Sequence, residues 1–420
     1  LYVVHQTLAN ENSGTPVVAD QYAREAVKKG YQVAILAPEL KDQEEARVRL
    51  DENIYYVSVN MFKNWSLEAF TKDNNSKIQK LDLPFLPDII HIIDWVNISP
   101  KILGYLASLK KPIIRHFCNF EDLCFYHHPF HKNKDFSLCQ NEITPSMCSS
   151  CITEKTFKGQ KFLKKIKSIL FIEKFRNKKK FSNYLKDRRE VLNTHLRSFY
   201  THFIFPSKAF SKFFFSHHKI EKKYDVIHHG INKDMSKNIV KTNDFKKINF
   251  LYTGGRSERK GWKIIEESFF YLLKKYETKI NLRIYGHKKK LIKSKLKDFK
   301  NVEFFDSYNY NDLKKILFWA DVGILPSFFE TYGLMAREYI FNKIIPVSSN
   351  SFGAEEIIIN DKNGIILSSN TKTEVINKIE NLINNEDYFN KIKNNLSSTN
   401  IISISQEFEY IDKVYKTYVK

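Results

Sequence analysis

The feature that most constrains this chain is a pattern that occurs twice: an apolar strand, a polar loop, an amphipathic helix, and a further apolar strand. Leu1 to His5 reads as a strand, Asn10 to Pro16 as a loop, Val17 to Lys29 as a helix, Gly30 as its stop and Gln32 to Leu36 as the next strand. That order is a βαβ unit, two parallel strands joined across one face by a helix. Ile89 to Ile93 and Pro112 to Ile114 are unbroken apolar runs, as expected of parallel strands covered on both faces. The pattern restarts in the second half. Strands are expected at Phe203 to Phe205, Val226 to His228, Asn249 to Tyr252, Leu282 to Tyr285, Val302 to Phe305, Val322 to Leu325 and Ile344 to Val347. Helices are expected after Gly261, Asn311, Gly333 and Ser351. The expected fold is α/β, with two wound domains facing across a cleft. The first spans 1–205 with an insert at about 118–190, and the second spans 206–405. A last helix, 406–420, is expected to pack back on the first domain.

Composition narrows the class. At 420 residues with 13 Gly and 11 Pro the chain is neither fibrous nor a small stapled module. Five Cys is too few and odd in number for a secreted disulfide framework, which points to a reducing compartment. The most apolar run, Leu83 to Leu109, is interrupted by Asp88, Asp94 and Lys101, so no spanning helix is expected. The chain opens at Leu1 already in a strand, so its natural N-terminus is expected to lie upstream. The formal charge of +21 is concentrated. Residues 151–190 carry 14 Lys/Arg against 4 Asp/Glu, and 286–300 carry 7 Lys against Asp298. A patch of this kind calls for an anionic ligand or surface.

The segment richest in chemistry runs from Asp321 to Leu367. A strand ending Ile324-Leu325-Pro326 breaks at Ser327, passes Glu330-Thr331-Tyr332-Gly333 and enters a helix carrying Glu338. A helix N-terminus after a strand offers N–H groups and partial positive charge, enough to hold a diphosphate around Tyr332 to Met335. Glu330 and Glu338 lie about two turns apart on one face, and carboxylates bind vicinal diols well. On spacing alone a salt-bridged helix face accounts for the pair better. A second loop tips the balance: Thr253-Gly254-Gly255-Arg256-Ser257-Glu258-Arg259-Lys260-Gly261 follows another strand, with glycines for close approach and cations for phosphate charge.

With these residues in view, the chain resembles glycosyltransferase family 4, nucleotide-sugar-dependent retaining enzymes with two facing Rossmann-like domains, the GT-B fold. The resemblance covers nearly the whole chain. It runs through Val3-Val4-His5-Gln6 with Asn12-Ser13-Gly14-Thr15, Phe205-Pro206-Ser207, His229-Gly230-Ile231-Asn232, Gly255-Arg256 to Lys260-Gly261, and Asn363-Gly364. Its most specific part is Pro326-Ser327-Phe328-Phe329-Glu330-Thr331-Tyr332-Gly333-Leu334 with Glu338, similar to the family's paired-glutamate motif. The resemblance implies that Arg256 and Lys260 bind the donor diphosphate, with Gly255 in their loop. It implies further that Glu338 holds the nucleotide ribose, and that Glu330 with the backbone from Thr331 to Leu334 contacts the donor sugar and β-phosphate. His116 resembles the family histidine that contacts the donor sugar, although Phe117 replaces the usual Asp and an ordinary strand-end histidine is the competing account. Gly14 would let the first loop close over the diphosphate. Tyr339 and Phe352-Gly353 depart from the family's Ala and Gly-Gly. The implied reaction is retaining transfer from a nucleoside-diphosphate-sugar to a hydroxyl of a glycan or lipid-linked acceptor, in cell-surface polysaccharide, lipopolysaccharide or glycolipid synthesis. No Asp-x-Asp occurs, so cations and helix amides are expected to replace a catalytic metal.

Cys124, Cys139, Cys148 and Cys151 form a Cys-x14-Cys-x8-Cys-x2-Cys array that suits a structural Zn or four reduced thiols. A similar cysteine insertion occurs in a subset of the resembled family. From 157 to 190, Phe162, Ile166, Ile169 and Leu170 alternate with lysines as a basic amphipathic helix. Such a helix fits a packed helix with a solvated face, or docking on an anionic membrane. The expected location is cytoplasmic, peripheral on the inner face of the plasma membrane. The rival of a different class is a basic nucleic-acid-binding protein, but no recognisable motif accompanies the charge and the Glu330/Glu338 pair would repel a nucleic-acid backbone, so no nucleic-acid partner is expected. Among enzymes, a nucleotide-sugar epimerase would share the scaffold.

Overall fold

The computed structural model describes residues 1–7, 14–39, 48–60, 81–96, 98–124, 139, 144–148, 178–233, 245–286, 294–308 and 312–419. The chain divides into two units. One comprises Leu1–Phe205, Ser211–Ile227 and Phe408–Lys420, and the other Pro206–Phe210 and His228–Glu407.

The first unit is built on β1 (Tyr2–Val3), α1 (Gly14–Lys28), β2 (Val33–Glu39), β3 (Val48–Asp51), β4 (Ile54–Asn60), β5 (Ile90–Ile92), α2 (Pro100–Ser108), β6 (Ile113–His116), α3 (Lys178–Thr194), β7 (His202–Phe205), α4 (Lys208–His217) from Ser211 onward, and β8 (Lys223–Val226). Its sheet runs β3-β4-β2-β1-β5-β6-β7-β8, parallel throughout except for β3 against β4. Side chains from the strands, among them Ile35, Ile93, Ile114 and Ile204, meet Tyr22 and Ala23 of α1 and Phe408 and Ile411 of the last helix in one core. Central strands with both faces covered explain why these segments are unbroken apolar runs.

A buried charge network closes the carboxyl end of β6. Arg115 is fully buried, and its Nη2 lies 2.7 Å from Glu121 Oε1 and 2.6 Å from Asp122 Oδ2. Its Nη1 donates to the carbonyls of Ile93 at 2.8 Å and His116 at 2.7 Å. Removing the cation strands two buried carboxylates. Arg115→Leu is therefore expected to lower the free energy of unfolding by about 3–5 kcal/mol, read from the urea midpoint. A wild-type midpoint contradicts this role for the network.

The second unit contains β9 (Ile248–Tyr252), α5 (Trp262–Tyr276), β10 (Ile280–Tyr285), β11 (Val302–Phe305), α6 (Leu313–Trp319), β12 (Val322–Leu325), α7 (Leu334–Phe341), β13 (Ile345–Ser349), β14 (Ile365–Leu367), α8 (Lys372–Asn384), α9 (Glu386–Asn395) and the start of α10 (Ile404–Lys416). Its sheet is wholly parallel, in the order β11-β10-β9-β12-β13-β14. Phe250, Leu282, Ile324 and Val347 are completely buried in its core. From β9 the chain winds outward through β10 and β11, then returns to lay β12 on the other side of β9. β9 and β12 thus flank a topological switch point, and ligands of such sheets bind at the carboxyl ends of those strands.

The helix expected after Ser351 is a single 3-10 turn, Ala354–Glu356. The Asn363 side chain explains the stop: its oxygen accepts from Ile359 N at 2.7 Å and its amide donates to Ile357 O at 3.0 Å, taking backbone groups that a longer helix would pair.

Candidate donor-nucleotide site

Two loops leave the switch point of the second unit, one after β9 and one after β12. The first holds Thr253 to Gly261. Gly255 adopts φ +60°, and a Cβ there would lie 3.0 Å from the Gly286 carbonyl oxygen, so the loop depends on glycine. A 3-10 turn, Glu258–Lys260, then leads to Gly261 at φ +78°, which begins α5. A Cβ on Gly261 would meet Pro326 O at 2.3 Å, so the glycine lets this loop lie against the start of the second. The two are also tied by Phe328 N donating to Arg259 O at 2.9 Å.

The second loop runs from Pro326 to Gly333, whose φ of +72° starts α7. Its backbone is held from several sides. Ser349 Oγ donates to Ser327 O, Asn370 Nδ2 donates to the same carbonyl at 3.2 Å, and Ser207 Oγ donates to Thr331 O at 3.2 Å. Tyr332 OH donates to His229 O at 2.7 Å. His229 Nδ1 in turn lies 2.8 Å from Glu407 Oε1, and Gly230 N donates to Glu407 Oε2 at 2.8 Å. A turn bound this firmly presents the first amides of α7 in a fixed direction, a ready anion site.

Lys260 and Glu330 form an ion pair through Nζ and Oε1. Burial alone would raise the Glu330 carboxyl, but the Lys260 charge and then Arg259 outweigh it and hold it below its usual range. Arg256, in the same loop, is exposed. Glu338 is 3 % exposed, and its charge acts on the Tyr308 phenol, which burial has already raised and which a bond to Thr253 lowers. Arg256, Lys260, Glu330 and Glu338 therefore belong to the loops and first helix turns at one switch point, together with Gly255 and Thr331 to Leu334.

The departures from the family pattern have local explanations. The Tyr339 ring fits because its neighbour on β12 is Gly323, where a Cβ would lie 2.1 Å from the ring. Phe352 packs edge-on to Phe329, with centroids 5.6 Å apart. Arg337 and Glu407, which help to hold the turn before α7, are residues that the sequence reading passes over. An arginine in the first turns of a helix, where it opposes the dipole, is the signal for the former.

The other expected residues lie in the first unit. His116 ends β6, is fully buried, and stacks on Tyr22 at 5.7 Å and His91 at 5.5 Å. Gly14 is the first residue of α1, where a Cβ would meet nothing within 4 Å, so close packing does not demand glycine there. At that unit's own switch point, between β1 and β5, His5 Nδ1 lies 3.1 Å from Asp94 Oδ2. Cys124, Cys139 and Cys148 form no disulfide with one another. Burial first, then the charges of Cys124 and Cys139, push the Cys148 thiol up to about 12. Cys124 and Cys139 thus both lie within electrostatic reach of Cys148, while Cys151 and residues 157–177 of the basic stretch lie outside the described residues.

Residues 234–398 match the family model described as glycosyl transferases group 1. This part of the chain is similar to group 1 glycosyl transferases. The matched residues include Arg256, Lys260, Glu330 and Glu338. Solved structures extend the likeness to the whole length. A glycosyltransferase from Rickettsia africae ESF-5 aligns over 100% of this chain and 98% of its own, at TM-score 0.62 and 16% identity. Sucrose-phosphate synthase from Thermosynechococcus elongatus aligns over 99% and 98%, at 0.61 and 10%. HepE from Anabaena, solved with UDP and glucose, aligns over 99% and 98%, at 0.58 and 13%. At these identities the likeness shows the fold: the matched segment belongs to one of two parallel-sheet α/β bodies of the GT-B kind. No curated protein matches the sequence. Among the described residues no helix is long and apolar enough to cross a membrane.

Proposed function

We propose that this protein is a retaining glycosyltransferase that moves a sugar from a nucleoside-diphosphate-sugar to a hydroxyl of a glycan or lipid-linked acceptor. One observation carries the reading: the loops after β9 and β12 hold cations, carboxylates and a helix N-terminus at a single switch point inside the segment that matches group 1 glycosyl transferases. Breaking the sugar–phosphate bond leaves negative charge on the diphosphate, and preorganised N–H groups and cations aimed at that charge give the largest rate gain. In this reading Arg256 and Lys260 face the departing diphosphate along with the α7 amides. Glu338 binds the ribose diol, Glu330 the donor sugar, and His116 a sugar hydroxyl. Without an Asp-x-Asp pair, these groups take over the charge neutralisation that a divalent ion gives elsewhere. The departing phosphate accepts the acceptor's proton on the same face, which retains the anomeric configuration.

HepE was solved with UDP and glucose and also with UDP-glucose, which supports UDP-sugars as the first donors to try. Cys124, Cys139 and Cys148, joined by Cys151, are proposed to hold a structural Zn whose chemistry is confined to cross-linking the insert. The basic stretch 157–190 is proposed to bring the enzyme to the anionic inner face of the plasma membrane, next to a lipid-linked acceptor, in cell-envelope glycan synthesis.

The test is a thermal-shift screen of UDP-, GDP- and ADP-sugars, followed by assay of donor hydrolysis. The reading expects one nucleotide class to raise the melting temperature and to be hydrolysed slowly. Stabilisation by arbitrary oligonucleotides, with none by nucleotide sugars, overturns it.

A further inference from the structure

Arg337 is the fourth residue of α7. A cation in that position works against the helix dipole. It is also 2 % exposed, and a buried guanidinium normally has a carboxylate partner. Arg337 has none within ion-pair distance among the described residues. Glu356 and Glu407, the acids whose charge acts on it, are engaged elsewhere: Glu356 with His228 Nε2 and Ala209 N, and Glu407 with His229 and Gly230 N. Its direct partners are two carbonyls and a ring. Nη1 donates to Tyr332 O at 2.8 Å and Gly353 O at 3.3 Å, and the guanidinium carbon lies 3.3 Å from the centre of the Tyr332 ring. Nη2 is buried without a hydrogen-bond partner. Burial pushes the side chain down to about 10, further than the neighbouring Tyr332 and Glu356 charges restore it.

Lys260, in the loop after β9, is already paired with Glu330. Arg337 is thus a buried positive charge left uncompensated behind a helix N-terminus, and it grips both strands of backbone, Tyr332 and Gly353, that shape the turn. We propose that Arg337 is a positioning and electrostatic residue for the donor: it fixes the Tyr332–Gly333 turn and supplies positive charge that a bound nucleoside diphosphate neutralises. This rests on the donor-binding reading above and adds a residue to it.

The experiment compares the wild type with Arg337→Met and Arg337→Lys. Calorimetry gives Kd for UDP, GDP and ADP, ligand-observed NMR gives Kd for the corresponding nucleosides, and circular dichroism reports folding. For the nucleotide that the wild type binds, Arg337→Met is expected to raise the diphosphate Kd by about tenfold or more and leave the nucleoside Kd unchanged, since only the phosphates meet the lost charge. Arg337→Lys, which keeps the charge without the fork, should fall between them and decides the matter if the Met variant does not fold. Diphosphate binding of wild-type strength in a folded variant overturns the proposal, as does equal weakening of nucleoside and diphosphate, which marks a purely structural role. A wild type that binds none of the three nucleotides overturns the donor reading itself.

Discussion

Lys260→Ala and Arg256→Ala are each expected to lower sugar transfer by about 10²–10³-fold in kcat, the scale of loss when one preorganised donor to developing charge is removed. The two variants should differ in kind. Arg256 is exposed, so its removal takes charge from the leaving group and leaves the fold alone. Lys260 is paired with Glu330, so its removal also strands a carboxylate whose charge the lysine stabilises. Lys260→Ala should therefore raise donor KM as well as lower kcat, and Lys260→Ala/Glu330→Gln should recover part of the KM while kcat stays low. Near-normal turnover in both single variants defeats the assignment of these cations to the diphosphate.

Gly353→Ala is expected to abolish measurable donor binding and lower the melting temperature, although it adds only one methyl group. Gly353 has an ordinary backbone conformation, φ −95°, so strain is not the reason. A Cβ there would lie 1.9 Å from Tyr332 O and 2.2 Å from Tyr332 C, both backbone atoms. The turn before α7 would have to move, taking the Arg337 bond to Tyr332 O and the Tyr332 bond to His229 O with it. Overpacking of this severity costs about 1–3 kcal/mol or more. Calorimetric titration with the nucleoside diphosphate and a thermal melt read the two effects, and wild-type values in both show that the loops are not locked together here.

How far the sequence foretells this arrangement depends on whether a feature is local. The parallel strands are legible because both faces are covered, so β9, β10 and β12 read as apolar runs whatever their neighbours. The loop glycines are legible too, since Gly255 and Gly261 sit between a strand and a helix as phosphate-binding loops require. The β3–β4 hairpin escapes notice because its tight turn is Glu52-Asn53, at φ 47° and 67°, without the glycine that usually marks such turns. The pairing of Lys260 with Glu330, 70 residues apart, depends on β12 returning to the side of β9, which no spacing rule encodes. Arg337 is harder still. Its neighbour Glu338 belongs to a visible motif, but the value of the arginine lies in Tyr332 and Gly353, which only the folded turn brings to it.

The switch-point loops are the core of the account, and a crystal structure with the bound nucleoside diphosphate tests them most directly. The phosphates are expected within hydrogen-bond distance of the amides between Tyr332 and Met335 and of Arg256 or Lys260, with the ribose hydroxyls on Glu338. A fully occupied nucleotide anywhere else, leaving those amides and Glu338 without a ligand, contradicts it.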